Sequence, residues 1–387
     1  MKYILHSLFI FVCAGLAGCA TTGPSQVYNP AELLNDSLFI GYRDVSVESE
    51  DEIFALSDEA KTFVKQRTTD ELDEEVNIRN LMYAIFDHAD MGLIYQGDAN
   101  TVASDTFANR AANCLSLSIM TYAMARYAGY QATFFEVDIP EYWTRQQGFS
   151  LINGHVNLRI VSPAYNDVTR FKDDFVDVDF DPQTIRQYFP RIAINKARVV
   201  AMFYNNKGAD ALIDKDFDKA YAYFRAAAIT APELAQTWTN LGVLYRFAWA
   251  LDDAERTYRY VLANDDNNLT AWENLSLLYR HQGNHDDADA IMAKVESKRR
   301  DNPFYHFILG EKAVENEAYA EALTHYQRAM RLNSQRHEIM FGLVKAYYGL
   351  GDISKARRYL EMAERFAQSQ QDEKRYHSKL AVLQSSL

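Results

Sequence analysis

Three cysteines occur in the 387 residues, Cys13, Cys19 and Cys114. Cys114 opens the stretch Asn113-Cys114-Leu115-Ser116-Leu117-Ser118, which runs on through an Ala/Met-rich segment to Gly129. The stretch reads as a helix closed by a glycine suited to a left-handed cap. A thiol in a helix's first turn meets unpaired amides and the positive end of the dipole, which favour thiolate, the nucleophilic form. A strand-like run, 131–137, follows. After 138–153, a loop that could be a substrate-side lid or a plain surface loop with Tyr142, Trp143 and Gln147, comes Gly154-His155-Val156-Asn157-Leu158-Arg159-Ile160. Val156, Leu158 and Ile160 alternate with His155, Asn157 and Arg159, so this is a strand with one polar face. In 175–181, Val176, Val178 and Phe180 alternate in the same way with Asp177, Asp179 and Asp181. Chain order is therefore thiol at a helix start, imidazole on a strand, carboxylate on a later strand. The plain alternative is a buried core cysteine, a common fate for that residue.

Those residues resemble the transglutaminase-like superfamily within the papain-like cysteine hydrolases, over roughly residues 95–185. The resemblance implies an α+β domain in which Cys114 attacks an amide carbonyl, forming a thioester. His155 would take the thiol proton and later protonate the leaving amine. An aspartate would fix the imidazole tautomer: Asp179 first, by its Val-Asp-Phe setting, then Asp181, which precedes Pro182, then Asp177. Alternation puts all three on one face. The oxyanion needs donors; besides the Cys114 amide, Asn113 and Gln96 are the candidates. No metal and no cofactor is expected: the mature chain has no cysteine pair, and Gly283 separates His281 from His285.

The elements that must hold this constellation begin earlier. Residues 49–90 are polar with helical spacing, Phe54, Leu56, Phe63 and Val64 giving one apolar side and Leu81, Met82, Ile85 and Phe86 continuing it. The acidic run 70–75 reads as a solvated helix start.

From about residue 201 the chain repeats with a period of 34. Ala220, Ala254, Ala288, Ala322 and Ala356 share one phase; Phe224, Tyr258, Met292, Tyr326 and Leu360 follow four residues on; Ala227, Val261, Val295, Ala329 and Ala363 follow three after that. The unit Trp238-Thr239-Asn240-Leu241-Gly242-Val243-Leu244-Tyr245 resembles the tetratricopeptide signature, and 272–279 repeats it. The resemblance implies five repeats over 201–370, stacked as an all-α solenoid, with 371–387 as a capping helix. Such an array implies a protein or peptide partner in its groove. Asn240 and Asn274, and more weakly Tyr204 and Tyr279, are candidates to line it.

The first 18 residues carry one lysine and an apolar run too short to span a bilayer, the pattern of a secretory signal. Leu16-Ala17-Gly18-Cys19 resembles the lipobox of bacterial lipoproteins. That implies lipidation at Cys19, a tether over 19–30 and, with Ala20 next, the periplasmic face of the outer membrane as destination. A formal net charge of −13 without a long basic run argues against nucleic acid. The expected organisation is signal (1–18), tether (19–30), transglutaminase-like domain (31–200), repeats and cap. Two functions fit it. One is an envelope thiol hydrolase or acyltransferase (a protease, amidase or transglutaminase-like enzyme) whose repeats recruit substrate. The other is a non-catalytic scaffold lipoprotein for envelope complex assembly.

Overall fold

The computed structural model describes residues 29–68, 74–86, 94–96, 99–137, 143–146, 149–152, 155–161, 175–178, 180, 191–367 and 376–380. The signal, Cys19, most of the tether, Asp179 and Asp181 lie outside the described residues, as does the start of the acidic run.

Three helices come first: α1 (Glu50–Phe54), α2 (Asp58–Arg67) and α3 (Glu74–Phe86). Ser49 and Glu52 close a capping box on α1, and Ser57 caps α2 by accepting from the Ala60 amide; these bonds satisfy amides the helices leave open. Ile53, Ala60, Val64, Leu81 and Ile85 enter the core. A parallel pair, β1 (Ile94–Tyr95) with β2 (Ala111–Ala112), brackets α4 (Ala103–Asn109). Then comes α5 (Cys114–Tyr127), followed by Gly129 at φ +90°, as the sequence predicts.

Strands β3 (Gln131–Val137), β6 (His155–Val161), β7 (Phe175–Val178) and β8 (Arg191–Ile194) form an antiparallel sheet in the order β7-β6-β3-β8. Within 138–153, expected as a loop, β4 (Trp143–Gln146) pairs antiparallel with β5 (Phe149–Ile152) instead, while Tyr142 and Gln147 lie outside the described residues. Val156, Leu158 and Ile160 lie in one core with Phe134, Val178 and the buried residues of α5, so the apolar face read from alternation is the face beneath the helix.

The rest is helical: α6 (Lys196–Ile213), α7 (Phe217–Thr230), α8 (Ala235–Phe247), α9 (Leu251–Asn264), α10 (Leu269–His281), α11 (His285–Arg300), α12 (Pro303–Glu315), α13 (Tyr319–Leu332), α14 (His337–Gly349) and α15 (Ile353–Arg365). They pair as five repeats. All five phase-matched alanines are fully buried, as are Phe224, Tyr258, Tyr326 and Leu360, while Met292 is only half-buried. Small residues let helices approach and rings fill the gap: a Cβ on Gly242 would stand 2.5 Å from the Tyr258 ring. Left-handed backbone recurs every 34 residues between the two helices of a pair, at Lys215 (φ 62°), Trp249 (61°), Gly283 (84°), Glu317 (57°) and Gly351 (78°). The sequence shows that position only where glycine fills it. Beyond α15, Tyr376 and Leu380 of a short helix at 376–380 are buried in the last repeat's core, in keeping with a cap.

Two boundaries differ from the expected ones. No linker separates the halves at residue 200: Val199 to Tyr204 of α6, with Tyr223 and Ala227 of α7, share the hydrophobic core of α5 and the sheet. And residues 29–48 do not belong with the sheet alone. They form a strap on the first two repeats, in which Leu33 and Phe39 enter the solenoid core. Asn35 donates to Asp253 at 2.8 Å, Tyr245 donates to the Leu33 carbonyl at 2.8 Å, and Tyr223 donates to Glu48 at 2.8 Å. The strap lacks periodicity because it is too short and irregular to repeat a face, so nothing in its sequence separates it from the domain that follows.

Asp36 fastens the middle of the strap. It accepts from Arg225 at 2.8 and 3.2 Å, from Tyr221 at 2.7 Å and from Tyr42 at 2.9 Å. The Arg225 bond, helped by the two tyrosines and opposed by partial burial, lowers its pKa from the ordinary 3.8 to about 2. A carboxylate whose folded pKa is depressed stabilises the docked state above its unfolded value and loses that contribution as pH falls through the folded one. Strap docking should therefore weaken between about pH 4 and pH 2. In Asp36→Asn this pH dependence should vanish from a strap-protection measurement by hydrogen exchange, and an unchanged acid profile would refute the assignment.

Candidate functional site

Cys114 is the first residue of α5. Its side chain is 9% exposed and belongs to the hydrophobic core with Leu115, Leu117 and Met120. Asn113 caps the helix: its side-chain oxygen accepts from the Ser116 amide at 2.9 Å. Residues 99–101 lie against this start. Asn113 N donates to the Ala99 carbonyl at 3.1 Å, Thr101 N donates to Ser116 Oγ at 3.0 Å, and the Asn113 amide nitrogen donates to Asn100 Oδ1.

His155 begins β6, opposite Val137 of β3. The helix meets this strand nearby: Ser118 Oγ, one turn beyond Cys114, donates to the Val156 carbonyl at 3.4 Å. The structure thus packs the helix that begins at Cys114 onto the strand that begins at His155. Of the aspartates only Asp177 is described. It accepts from Arg159 at 2.8 and 2.9 Å and from Arg191 at 2.8 Å. Burial raises its pKa, but the two guanidinium groups outweigh burial and the net shift is downward. A carboxylate held by two arginines across three strands serves the sheet's polar face, which explains Asp177 without a triad.

Asn113 is likewise accounted for as a cap. Gln96 is exposed, and its backbone N–H reaches the Ala112 carbonyl at 3.0 Å, two residues before Cys114. Among the described residues no group of three or more His, Cys, Asp or Glu side chains could hold a metal ion, and no helix is long and apolar enough to cross a membrane.

In the repeats, the groove candidates are mostly occupied. Asn274 is buried and donates to the Thr270 carbonyl of its own helix at 3.0 Å. Asn240 donates to Asn205 at 3.0 Å, tying α8 to α6. Tyr204 donates to the Glu48 carbonyl at 2.5 Å, and Tyr279 sits between Glu255 and Arg259. What the sequence reading missed lies at the turns between paired helices. Trp249 is 72% exposed, in left-handed backbone, with its ring 4.6 Å from that of His281. Phe247, Tyr348 and Leu350, at or beside equivalent helix ends, are exposed too. The signal was available: Trp249 stands 34 residues before Gly283.

These features define the class. The carboxy-terminal part of the chain carries tetratricopeptide repeats: five helix pairs in one 34-residue phase, with models described as "tetratricopeptide repeat" matching residues 250–303 and 313–383. The chain is similar to several solved structures. One is pilF of Pseudomonas aeruginosa, 16% identical, covering 49% of this chain and 90% of that one at a TM-score of 0.26. Another is BtubC from P. vanneervenii, 18% identical, covering 44% and 81% at 0.25. A third is YrrB, described as a TPR protein with an unusual peptide-binding site, 14% identical, covering 46% and 91% at 0.24. A search of curated proteins finds no match.

Proposed function

We propose that this protein is a scaffold that binds a protein or peptide partner through its repeat array, held at the periplasmic face of an outer membrane by lipid on Cys19. The observation that carries the partner-binding reading is Trp249. A bulky side chain at positive φ costs about 1–2 kcal/mol, and 72% of the ring is exposed, so neither backbone nor core packing accounts for it. An exposed ring beside Phe247 and His281 suits the anchor of a protein interface. The lipid anchor is supported by Leu16-Ala17-Gly18-Cys19.

Trp249→Gly gives a clean test, because glycine fills the same position at 283 and 351. The variant should melt at the same temperature or higher while losing at least about tenfold in capture of a partner crosslinked from envelope fractions, each interface anchor being worth about 2 kcal/mol or more. Cys114→Ala should capture as the native chain does. Undiminished capture by Trp249→Gly would remove the ring from the interface.

A second reading keeps one observation of its own: α5 starts at Cys114 and packs on the strand that starts at His155. A thiol hydrolase or acyltransferase with Cys114 as nucleophile, His155 as base and Asp179 or Asp181 as orienting acid would be built on such a frame, with a transglutaminase-like α+β domain around it. The burial of Cys114 among apolar side chains favours the scaffold, in which this thiol is inert.

A further inference from the structure

A run of side-chain hydrogen bonds ties the start of α5 to the repeat array. Asp210 lies in α6, the first helix of the first repeat. Its Oδ2 accepts from Asn100 Nδ2 at 2.5 Å; Asn100 Oδ1 in turn accepts from the Asn113 amide nitrogen; and Asn113 Oδ1 accepts from the Ser116 amide at 2.9 Å. Asn113 is 6% exposed, and Asn100 and Asp210 are half-buried.

We infer that Asp210 is a positioning residue that sets the cap of the Cys114 helix, so that the array and the thiol's helix start are one coupled element. The polarity of the relay gives the reason. A carboxylate only accepts, so Asp210 forces Asn100 to present its NH2 toward α6 and its oxygen toward Asn113. That oxygen then takes the Asn113 NH2, which leaves the Asn113 oxygen facing Ser116 N. Each amide has one orientation consistent with the next. Remove the carboxylate and the orientation is held from one end only, by the Ser116 N–H; Asn100 then loses its anchor on α6, and whenever Asn113 flips it turns its NH2 on the Ser116 amide, donor against donor. The helix start then loses its cap and opens more often. Because the core of α5 continues into α6, anything that shifts α6 shifts Asp210 and reaches the same cap.

This inference rests on the position of Cys114 and not on its reacting with any substrate, so it survives if the thiol-enzyme reading fails. The probe is the rate of iodoacetamide labelling of the full chain. A buried thiol labels only when its surroundings open, so the rate reports the open population. Losing a cap of typical strength should raise that population about fivefold. Asp210→Ala and Asn113→Ala should each speed labelling by about that factor, and the double variant should label no faster than Asn113→Ala alone, because the two act through one cap. Asp210→Glu, which keeps an acceptor, should restore part of the slow rate. Rates that multiply in the double variant, or native labelling in Asp210→Ala, would overturn the relay. Should Asn113→Ala fail to fold, Asn100→Ala replaces it in the cycle, with the same non-multiplying outcome required. Turnover is not measured, so an inert thiol and an absent relay give different results: the first leaves the ratios intact, the second leaves Asp210→Ala at the native rate while Asn113→Ala still labels faster.

Discussion

Phe39→Ala should undock the amino-terminal strap and cost about 3–5 kcal/mol of the strap's local stability, the usual loss when a buried phenylalanine is cut to alanine. Phe39 is 4% exposed, its ring stacked on Tyr221 with centroids 4.7 Å apart and lying 6.1 Å from that of Tyr245. Both tyrosines are fully buried, and both hydroxyls engage the strap, Tyr221 at Asp36 and Tyr245 at Leu33 and Asn35. Removing the ring opens a cavity over the first two repeats and loosens those polar contacts with it. Because the strap is short, its loss should appear as local opening before global unfolding. Hydrogen exchange should show amides in 31–45 losing protection, with repeats three to five unchanged. Native-like protection in that segment would mean the ring is dispensable.

Gly342→Val should destabilise the last two repeats by about 3 kcal/mol, at the upper end of the cost of overpacking. A Cβ on Gly342 would stand 2.5 Å from the Tyr326 ring, and one on Gly310 would stand 2.6 Å from the same ring carbon. The ring edge is pinched between two glycines on α12 and α14, so it cannot retreat from one without meeting the other helix. Its hydroxyl bonds to Glu311, which also pairs with Lys345, so the ring is held at its far end as well. The gain in helix propensity on leaving glycine, up to about 1 kcal/mol, is too small to reverse the sign. Urea titration should show the loss, and Tyr326→Leu should shrink it by emptying the space the new side chain needs. Full cost in that background would mean the strain lies elsewhere.

The repeats were legible because their physics is local and periodic. A small residue at one phase and a ring four residues on recur in every unit, so five weak signals reinforce one another, and Ala220 to Ala356 are buried where the phase puts them. The helix from Cys114 and the alternation of Val156, Leu158 and Ile160 were legible for the same reason. The strap was not, because residues 29–48, apolar and polar without a period, look like any loop until a surface is present to receive them. Nor was the fate of Asp177: alternation fixes its face, but not the two arginines that reach it from other strands.

Sequence by itself determined the secondary structure of α5 and β6, the number and phase of the helix pairs, and the glycine that closes α5, since each depends on neighbours within a few positions or on a repeated spacing. Tertiary structure alone decided that α6 belongs to both halves, that Phe39 fills the solenoid, and that Asp210 reaches Asn113 through Asn100. Most of those contacts join residues far apart along the chain, Asn100 and Asp210 by 110 positions, and the free energy of such a contact is set by burial and polar pairing at one place in space, which no local pattern along the chain encodes.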